Sequence, residues 1–235
     1  MAGPSVAARP PSPGGRAGPG RRAATTRSEL EEVALELFAE RGFAATTVDD
    51  IAAAAGIARR TFFRYYPSKT DLVWGDFTGE LDRLRARLMS TDPSVPVMEA
   101  IHREVIAFNR IELGQEAAHR RRMSLILGVP TLLANSTLHF AEWRAVLAEF
   151  AAERLGLGPG DLLPNVIAYS ALGAALAGYE QWLKDDAADL AALLDDALGE
   201  LAAGFRQREA PTSRTAPGLS ARGSTVRRRR RRAPP

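Results

Sequence analysis

The stretch that decides the fold is TTVDDIAAAAGIARRTFFRYYPSKTDL, residues 46–72. Thr47, followed three residues later by Asp50, has the spacing of a capping box, which predicts the start of a short helix. Gly56 stands where that helix must end in a left-handed conformation, which glycine adopts without a side-chain penalty. A second helix is predicted next, and Pro67 ends it. Two short helices joined by a glycine turn are typical of a helix-turn-helix.

The second of these helices carries side chains that suit DNA. Its sequence includes Arg59, Arg60, Thr61, Arg64 and Tyr65. Arginine donates to base edges and phosphates, and hydroxyl groups donate to phosphate. We therefore expect this helix to enter the major groove of double-stranded DNA.

Composition limits the classes of protein that the chain can represent. Its 235 residues suffice for one large or two small domains. The absence of cysteine excludes disulfides and thiolate zinc sites, and fits a reducing cytoplasm. No apolar run typical of a secretory signal opens the chain, and none reaches the roughly 18 residues of a membrane span. We expect a cytoplasmic protein with no membrane segment.

The net charge of +3 hides a strong asymmetry along the chain. Residues 1–28 hold five Arg and no acid, and residues 206–235 hold ten Arg and one Glu, so the remainder carries −11. We predict disordered basic tails at 1–22 and 208–235, because Pro, Gly, Ser and Arg bury little apolar surface. The run Arg227–Arg232 would strengthen nonspecific DNA contact. A merely solubilising tail remains the alternative.

Between the tails the pattern predicts an all-α fold of about nine or ten helices. Residues 23–70 form the predicted DNA-binding domain, with three helices. A long helix beginning at Ser68 and extending past Leu88 is predicted to join it to a helical ligand-binding and dimerisation domain at 71–207. Strand-like alternation is absent from the sequence.

The last two predicted helices differ from the others in composition. YSALGAALAGYEQWL (169–183) has small residues on several faces, and DLAALLDDALGELAAGF (189–205) is rich in Ala and Leu. Such a pair suggests a homodimer in which two copies form a four-helix bundle. The alternative is a helix pair buried within one chain.

The residues discussed so far carry a resemblance to a known family. The segment ALELFAERGFAATTVDDIAAAAGIARRTFFRYYPSKTDL (34–72) resembles the TetR family of bacterial transcription regulators. The resemblance implies a homodimeric repressor that releases DNA when a small molecule binds. It also implies that Thr47 lies near a phosphate, that residues 59–65 lie along the major groove, and that Lys69 contacts the DNA backbone.

Two positions depart from the family pattern. Ala58 replaces the usual capping Ser, which costs about 1 kcal/mol locally. Phe63 replaces a Tyr whose hydroxyl meets phosphate. We assign Arg59, Arg60 and Thr61 to base edges. The full set of candidate DNA-binding residues is Thr47, Arg59, Arg60, Thr61, Phe63, Arg64, Tyr65 and Lys69.

The resemblance extends beyond the DNA-binding segment. The stretches RRTFFRYYPSKTDLVWGDF (59–77), AFNR (107–110), HRRRMSLIL (119–127), NSTLHFAEWRAVLAEF (135–150) and GYEQWL (178–183) are similar to regulators associated with mycofactocin gene clusters. This similarity implies control of mycofactocin-related genes and a long-chain acyl-CoA effector.

A ligand of that kind needs an apolar cavity and cations for its phosphates. Apolar residues at helical spacing are candidates to line such a cavity between helices, and the basic run 119–122 is the candidate for phosphates. The candidate ligand-binding residues are Phe108, Arg120, Met123, Leu127, Phe140, Trp143, Tyr169 and Trp182. Ordinary core residues and a solvated basic face are the alternatives.

Other functions fit the sequence less well. No metal spacing, nucleophile elbow or phosphate-binding glycine loop occurs, so we predict neither an enzyme nor a resident cofactor. A TetR-type sensor of an unrelated apolar ligand stays open. An architectural protein that binds DNA through its Arg-rich tails is the remaining alternative.

Overall fold

The computed structural model describes residues 26–204, and these form ten α-helices and no strand, as the all-α prediction requires. The predicted basic tails at 1–22 and 208–235 lie outside the described residues. The helices are α1 (Arg27–Arg41), α2 (Val48–Ala54), α3 (Arg59–Tyr65), α4 (Lys69–Trp74), α5 (Phe77–Met89), α6 (Val97–Phe108), α7 (Glu116–Gly128), α8 (Pro130–Leu155), α9 (Leu162–Trp182) and α10 (Leu190–Ala203).

Local sequence signals set the ends of the first helices. Thr26 caps α1 in a capping box with Glu29, and Thr47 caps α2 in the same way with Asp50. Gly56 has a φ of 65°, as the predicted helix stop requires. Ala58 gives α3 no side-chain cap, which confirms that prediction.

The single long helix predicted from Ser68 past Leu88 is wrong. The helix is interrupted at Gly75, where φ is 62°, so that α4 and α5 are separate helices. Apolar residues continue at helical spacing through this point, which is why the sequence pattern predicted one helix. A glycine can leave the helical conformation at little steric cost, and here it does.

The helices of the predicted DNA-binding domain share a core with those of the predicted ligand domain. Leu30, Ile51, Phe62 and Leu72 are all 0% exposed and pack in one cluster. Buried Ile126 and Leu132, from α7 and α8, belong to the same cluster. The two parts of the chain are therefore coupled by packing across α1, α4 and α7, in addition to the connection between α4 and α5.

The remaining helices form the bundle of the ligand domain. Its second core includes Leu84, Ile101 and Leu147, each 0% exposed. A third cluster lies around buried Trp182 and Leu194, where α9 meets α10. Gly178 makes the α9–α10 contact close, because a Cβ there would lie 3.0 Å from Leu194 Cδ2.

One helix in the described part of the chain is long and apolar enough to cross a membrane. It is α9, with 21 residues. It packs against both α8 and α10. A helix packed within a bundle can meet the same length and composition test.

Candidate DNA-binding surface and effector cavity

The recognition helix α3 is held by one buried residue and presents polar groups outward. Phe62 is fully buried and lies 5.4 Å from Phe63 and 6.4 Å from Tyr66, between ring centres. Arg60 and Arg64 are exposed on the opposite side. This division follows from the helical period, and it leaves the arginines available to DNA.

The two neighbouring arginines of α3 differ in their surroundings. Arg59 Nη1 lies 2.6 Å from Asp49 Oδ2 of α2, and the Arg59 guanidinium carbon lies 5.4 Å from the Phe63 ring centre. Arg60 makes no hydrogen bond or ion pair with the residues that the structure describes. Arg64 lies over the half-buried Tyr65 ring at 5.2 Å. Thr61, the third candidate for a base edge, is half-buried on the same helix.

Thr47 is already engaged at the start of α2. Its backbone N–H donates to Asp50 Oδ2 at 2.8 Å, and its hydroxyl donates to the same oxygen. The hydroxyl oxygen also accepts from the Asp50 backbone N–H at 3.1 Å. The Thr47 hydroxyl bond, first, and the Thr47 backbone bond lower the pKa of Asp50. Thr47 thus fixes the helix start at the surface where a phosphate contact is predicted.

Lys69 has partners within the protein. Its ammonium donates to the carbonyl oxygens of Phe43 at 2.6 Å and Thr46 at 2.8 Å, and lies 4.4 Å from the Phe43 ring centre. Partial burial lowers the pKa of Lys69. In this position Lys69 joins α4 to the loop that precedes α2. Its predicted contact with the DNA backbone would need a change in these bonds.

An apolar cavity of about 370 Å³ lies between the DNA-binding helices and the ligand domain. Its walls come from α1, α4 and α5 on one side and from α6 to α9 on the other. Its volume is in the range of small-molecule sites. The lining residues are Glu31, Trp74, Asp76, Phe77, Glu80, Phe108, Asn109, Arg110, His119, Arg122, Met123, Ile126, Phe140, Trp143, Leu172, Ala175, Leu176 and Tyr179.

Four of the eight candidate ligand-binding residues line this cavity, namely Phe108, Met123, Phe140 and Trp143. They come from α6, α7 and α8. The ligand contacts themselves stay a prediction.

The other four candidates lie elsewhere. Tyr169 is 59% exposed on the outer surface, one turn before the first cavity-lining residue of α9, and Arg144 lies 4.1 Å from its ring centre. Trp182 is fully buried, and Leu127 packs beside it in the third core cluster. These three side chains each lie one or two turns along their helix from a lining residue, outside the cavity.

Arg120 has a structural role in this arrangement. Its guanidinium carbon lies 4.0 Å from the Trp182 ring centre, and Nη1 donates to the Trp182 carbonyl oxygen at 2.5 Å. A cation at this position stabilises the carboxyl end of α9. The predicted basic cluster is therefore divided, because Arg120 and Arg122 point to different partners.

Sequence reasoning missed the polar wall of the cavity. The Tyr179 hydroxyl donates to Asn109 Oδ1 at 2.8 Å, and His119 Nε2 lies 2.9 Å from the same hydroxyl. Burial first, and then the charge of Arg122, lowers the pKa of His119 to about 4. Burial also raises the pKa of Tyr179. No local signal joins these three residues, which come from the end of α6, from α7 and from α9.

A helix-turn-helix followed by a helical domain with an apolar cavity defines the class of one-component transcription regulators. Residues 31–73 match the family model described as bacterial regulatory proteins, tetR family. Residues 95–206 match the model described as MftR C-terminal domain. The chain belongs to the TetR family of DNA-binding transcription regulators.

Within that family the chain is similar to a regulator linked to mycofactocin. It is 43% identical over 79% of its length to the putative mycofactocin biosynthesis transcriptional regulator MftR of Mycobacterium tuberculosis, covering 94% of that protein. The resemblance predicted from the sequence is thereby confirmed.

Solved structures share the fold. The fatty acid degradation regulator FadR from Bacillus halodurans aligns with a TM-score of 0.57 at 20% identity, over 76% of this chain and 99% of that one. FadR from Bacillus subtilis in complex with stearoyl-CoA aligns with a TM-score of 0.55 at 18% identity, over 76% and 99%.

Proposed function

We propose that this chain is a cytoplasmic homodimeric repressor of mycofactocin-related genes that leaves its operator when an apolar effector, such as a long-chain acyl-CoA, fills the cavity. The single observation that carries the proposal is the position of the cavity. Its walls include Glu31 of the DNA-binding part, Trp74 at the end of α4, and Trp143 and Tyr179 of the ligand domain. A ligand there contacts both parts at once.

The lining supports an effector with a hydrocarbon chain. Its apolar lining residues include Phe77, Phe108, Phe140, Trp143 and Leu172. Burying such a chain contributes roughly 0.8 kcal/mol for each methylene group. The relation to a regulator with bound stearoyl-CoA supports the same class of effector, because that protein has the same fold.

The CoA part of such an effector would remain outside the cavity. Arg110 is exposed, lines the cavity, and also lines a neighbouring groove of about 510 Å³ between the α6–α7 and α9–α10 loops. Its guanidinium makes no hydrogen bond or ion pair with the described residues. Its forked donors suit a phosphate that leaves the cavity at this point.

The dimer is proposed to form through α9 and α10. A row of apolar or small residues on α9 faces outward at helical spacing: Leu162, Val166, Tyr169, Gly173 and Ala177. Leu162 is 80% exposed and Tyr169 is 59% exposed. An apolar row of this length supports an interface with a second copy. The two recognition helices would then enter major grooves about 34–36 Å apart.

An effector changes the affinity of the dimer for DNA only if the effector itself binds two conformations of the dimer with different affinities. The state with a filled cavity would hold the recognition helices at a separation that does not match successive grooves. In this proposal the break at Gly75, where φ is 62°, is the point about which α4 and the DNA-binding helices would move relative to α5.

The test is titration of a labelled fragment from the chain's own upstream region, with a scrambled fragment as control. We expect preference for the upstream fragment, and release by oleoyl-CoA but not by free CoA. Binding without preference would support the architectural alternative, in which the Arg-rich tails make most of the contacts.

A sensor of an unrelated apolar ligand is the second candidate. The acidic side chains of Glu31, Asp76 and Glu80 also line the cavity. They disfavour a polyphosphate near the cavity mouth. Specific binding to the upstream fragment that oleoyl-CoA leaves unchanged would favour this candidate.

A further inference from the structure

Glu31 of α1 joins two distant parts of the molecule. Its Oε2 lies 2.5 Å from Arg122 Nη2 of α7, and its Oε1 accepts a hydrogen bond from the Tyr66 hydroxyl. The side chains of Glu31 and Arg122 are only 17% and 26% exposed. The ion pair is therefore largely shielded from water.

Removing one residue of such a pair destabilises the protein. Removing the cation leaves a carboxylate that solvent cannot fully hydrate, which is more costly than losing a surface ion pair. The Tyr66 hydroxyl stays a donor, because burial, and then the hydrogen bond to Glu31, raises its pKa. The three side chains thus form one charged cluster whose geometry depends on Arg122.

The cluster contacts the points at which the DNA-binding helices could move. Tyr66 is the residue that ends the recognition helix α3, and it is 2% exposed. At Gly75, the break between α4 and α5, a Cβ would lie 3.3 Å from both Arg122 Nη1 and Glu31 Oε2. One ion pair therefore packs against the break and holds the end of α3.

The same ion pair forms part of the cavity wall. Glu31 and Arg122 both line it. The polar groups on the opposite wall already hydrogen-bond to one another, because the Tyr179 hydroxyl donates to Asn109 and accepts from His119. Among the described residues, Arg122 and the exposed Arg110 are the cations that line the cavity.

We propose that Arg122 is the residue that binds the polar group of the effector: an acceptor oxygen draws its guanidinium from Glu31, and loss of that ion pair loosens Tyr66 and the break at Gly75. This inference rests on the proposed effector-responsive function. The ligand chemistry is a hydrocarbon chain with an acceptor oxygen at one end. A carboxylate and a thioester carbonyl both meet that description.

The experiment measures operator affinity of the full-length protein with and without ligand, for wild type and Arg122→Met. Oleoyl-CoA and oleate are the probes. We expect ligand to raise the operator Kd of wild type at least about 5-fold, and that of Arg122→Met by less than about 2-fold. Trp74 and Trp143 line the cavity, so their fluorescence reports ligand binding separately from release.

Glu31→Gln tests the cluster without any ligand. The substitution keeps the shape of the side chain and removes the charge that holds Arg122. We expect its operator affinity to be weaker than that of wild type before ligand is added, and its further response to ligand to be small. In the double variant Glu31→Gln with Arg122→Met, no charge is left unpaired, so this variant controls for misfolding.

Arg85→Met is the matched control. It breaks an Arg–Glu pair between α5 and α8, in which Arg85 Nε lies 3.1 Å from Glu149 Oε2, away from the cavity. Its operator affinity and its release by ligand should equal those of wild type.

The outcomes separate the inference from the proposed function. If ligand releases Arg122→Met from the operator to the same extent as wild type, the proposed role of Arg122 is wrong but the proposed function is not affected. Wild type that neither ligand releases would overturn the effector class and this inference with it. Release by oleate identifies the carboxylate as the polar group, and release by oleoyl-CoA alone identifies the thioester carbonyl.

Discussion

His119 Nε2 lies 2.9 Å from the hydroxyl oxygen of Tyr179, and this contact fixes the state of the histidine. The single phenol proton goes to Asn109, so His119 must supply the proton for its own bond to Tyr179. Nε2 therefore carries a hydrogen. The low pKa of His119, about 4, agrees with an uncharged ring at neutral pH.

This assignment predicts a pH-dependent stability. In the unfolded chain His119 titrates near 6.5, but in the folded protein near 4, so the unfolded state binds more protons between these values. The contribution of His119 to the free energy of unfolding should be fully present above about pH 6.5. It should be lost as the pH decreases towards 4, by roughly 3 kcal/mol at most.

Urea denaturation across this pH window measures the effect. His119→Gln should reduce the slope, because glutamine does not titrate; His139, whose pKa burial also lowers, keeps part of it. His102→Gln, which removes the ring bonded to exposed Asp195, should keep it. An unchanged slope in His119→Gln would contradict the buried neutral ring.

Lys69→Met should destabilise the DNA-binding domain. The substitution removes the hydrogen bonds to the carbonyl oxygens of Phe43 and Thr46, and bonds of charged groups contribute about 1.5–3 kcal/mol. Urea denaturation of Lys69→Met and of Lys184→Met, an exposed lysine in the α9–α10 loop, checks this. Unchanged stability with weaker DNA binding would instead identify Lys69 as a phosphate contact only.

Arg60→Ala should relax the sequence preference of the protein, at a cost of about 1–3 kcal/mol on the operator. Arg60 is exposed on α3 and has no partner among the described residues, so its guanidinium is available to a base edge. The measurement compares Kd on the operator and on operators changed at single base pairs. Equal weakening on every fragment would make Arg60 a phosphate contact.

Ala177→Glu should convert the dimer to monomers and reduce operator affinity. It places a charge in the outward apolar row of α9, where a dimer partner would leave the carboxylate unhydrated. Sedimentation velocity gives the oligomeric state. Ala117→Glu, at an exposed position of α7, is the control. A dimer that survives Ala177→Glu would place the interface elsewhere.

Deletion of residues 208–235 should reduce the salt dependence of DNA binding while leaving operator preference intact. Each phosphate contact that the arginines make adds about 0.9 to the slope of log K against log salt concentration. Replacing the run Arg227–Arg232 by serine at equal length separates charge from length. Loss of operator preference would mean that the tail contributes to specificity.

The sequence by itself determined the parts of this protein that depend on neighbouring residues. The capping box of Thr47 with Asp50 and the glycine stop at Gly56 define the helix-turn-helix, because capping and left-handed turns involve residues only a few positions apart. The family follows from the same stretch. Apolar residues at helical spacing also included Phe108, Met123, Phe140 and Trp143, which line the cavity.

Only the tertiary structure decided which side chains meet. Glu31 and Arg122 are 91 positions apart, and His119 and Tyr179 are 60 apart, so neither pair has a local signal. For the same reason the sequence did not show that Tyr169 lies on the outer surface or that Arg120 binds the end of α9. Helical periodicity fixes the face of a helix on which a residue lies, but packing between helices decides what that face contacts.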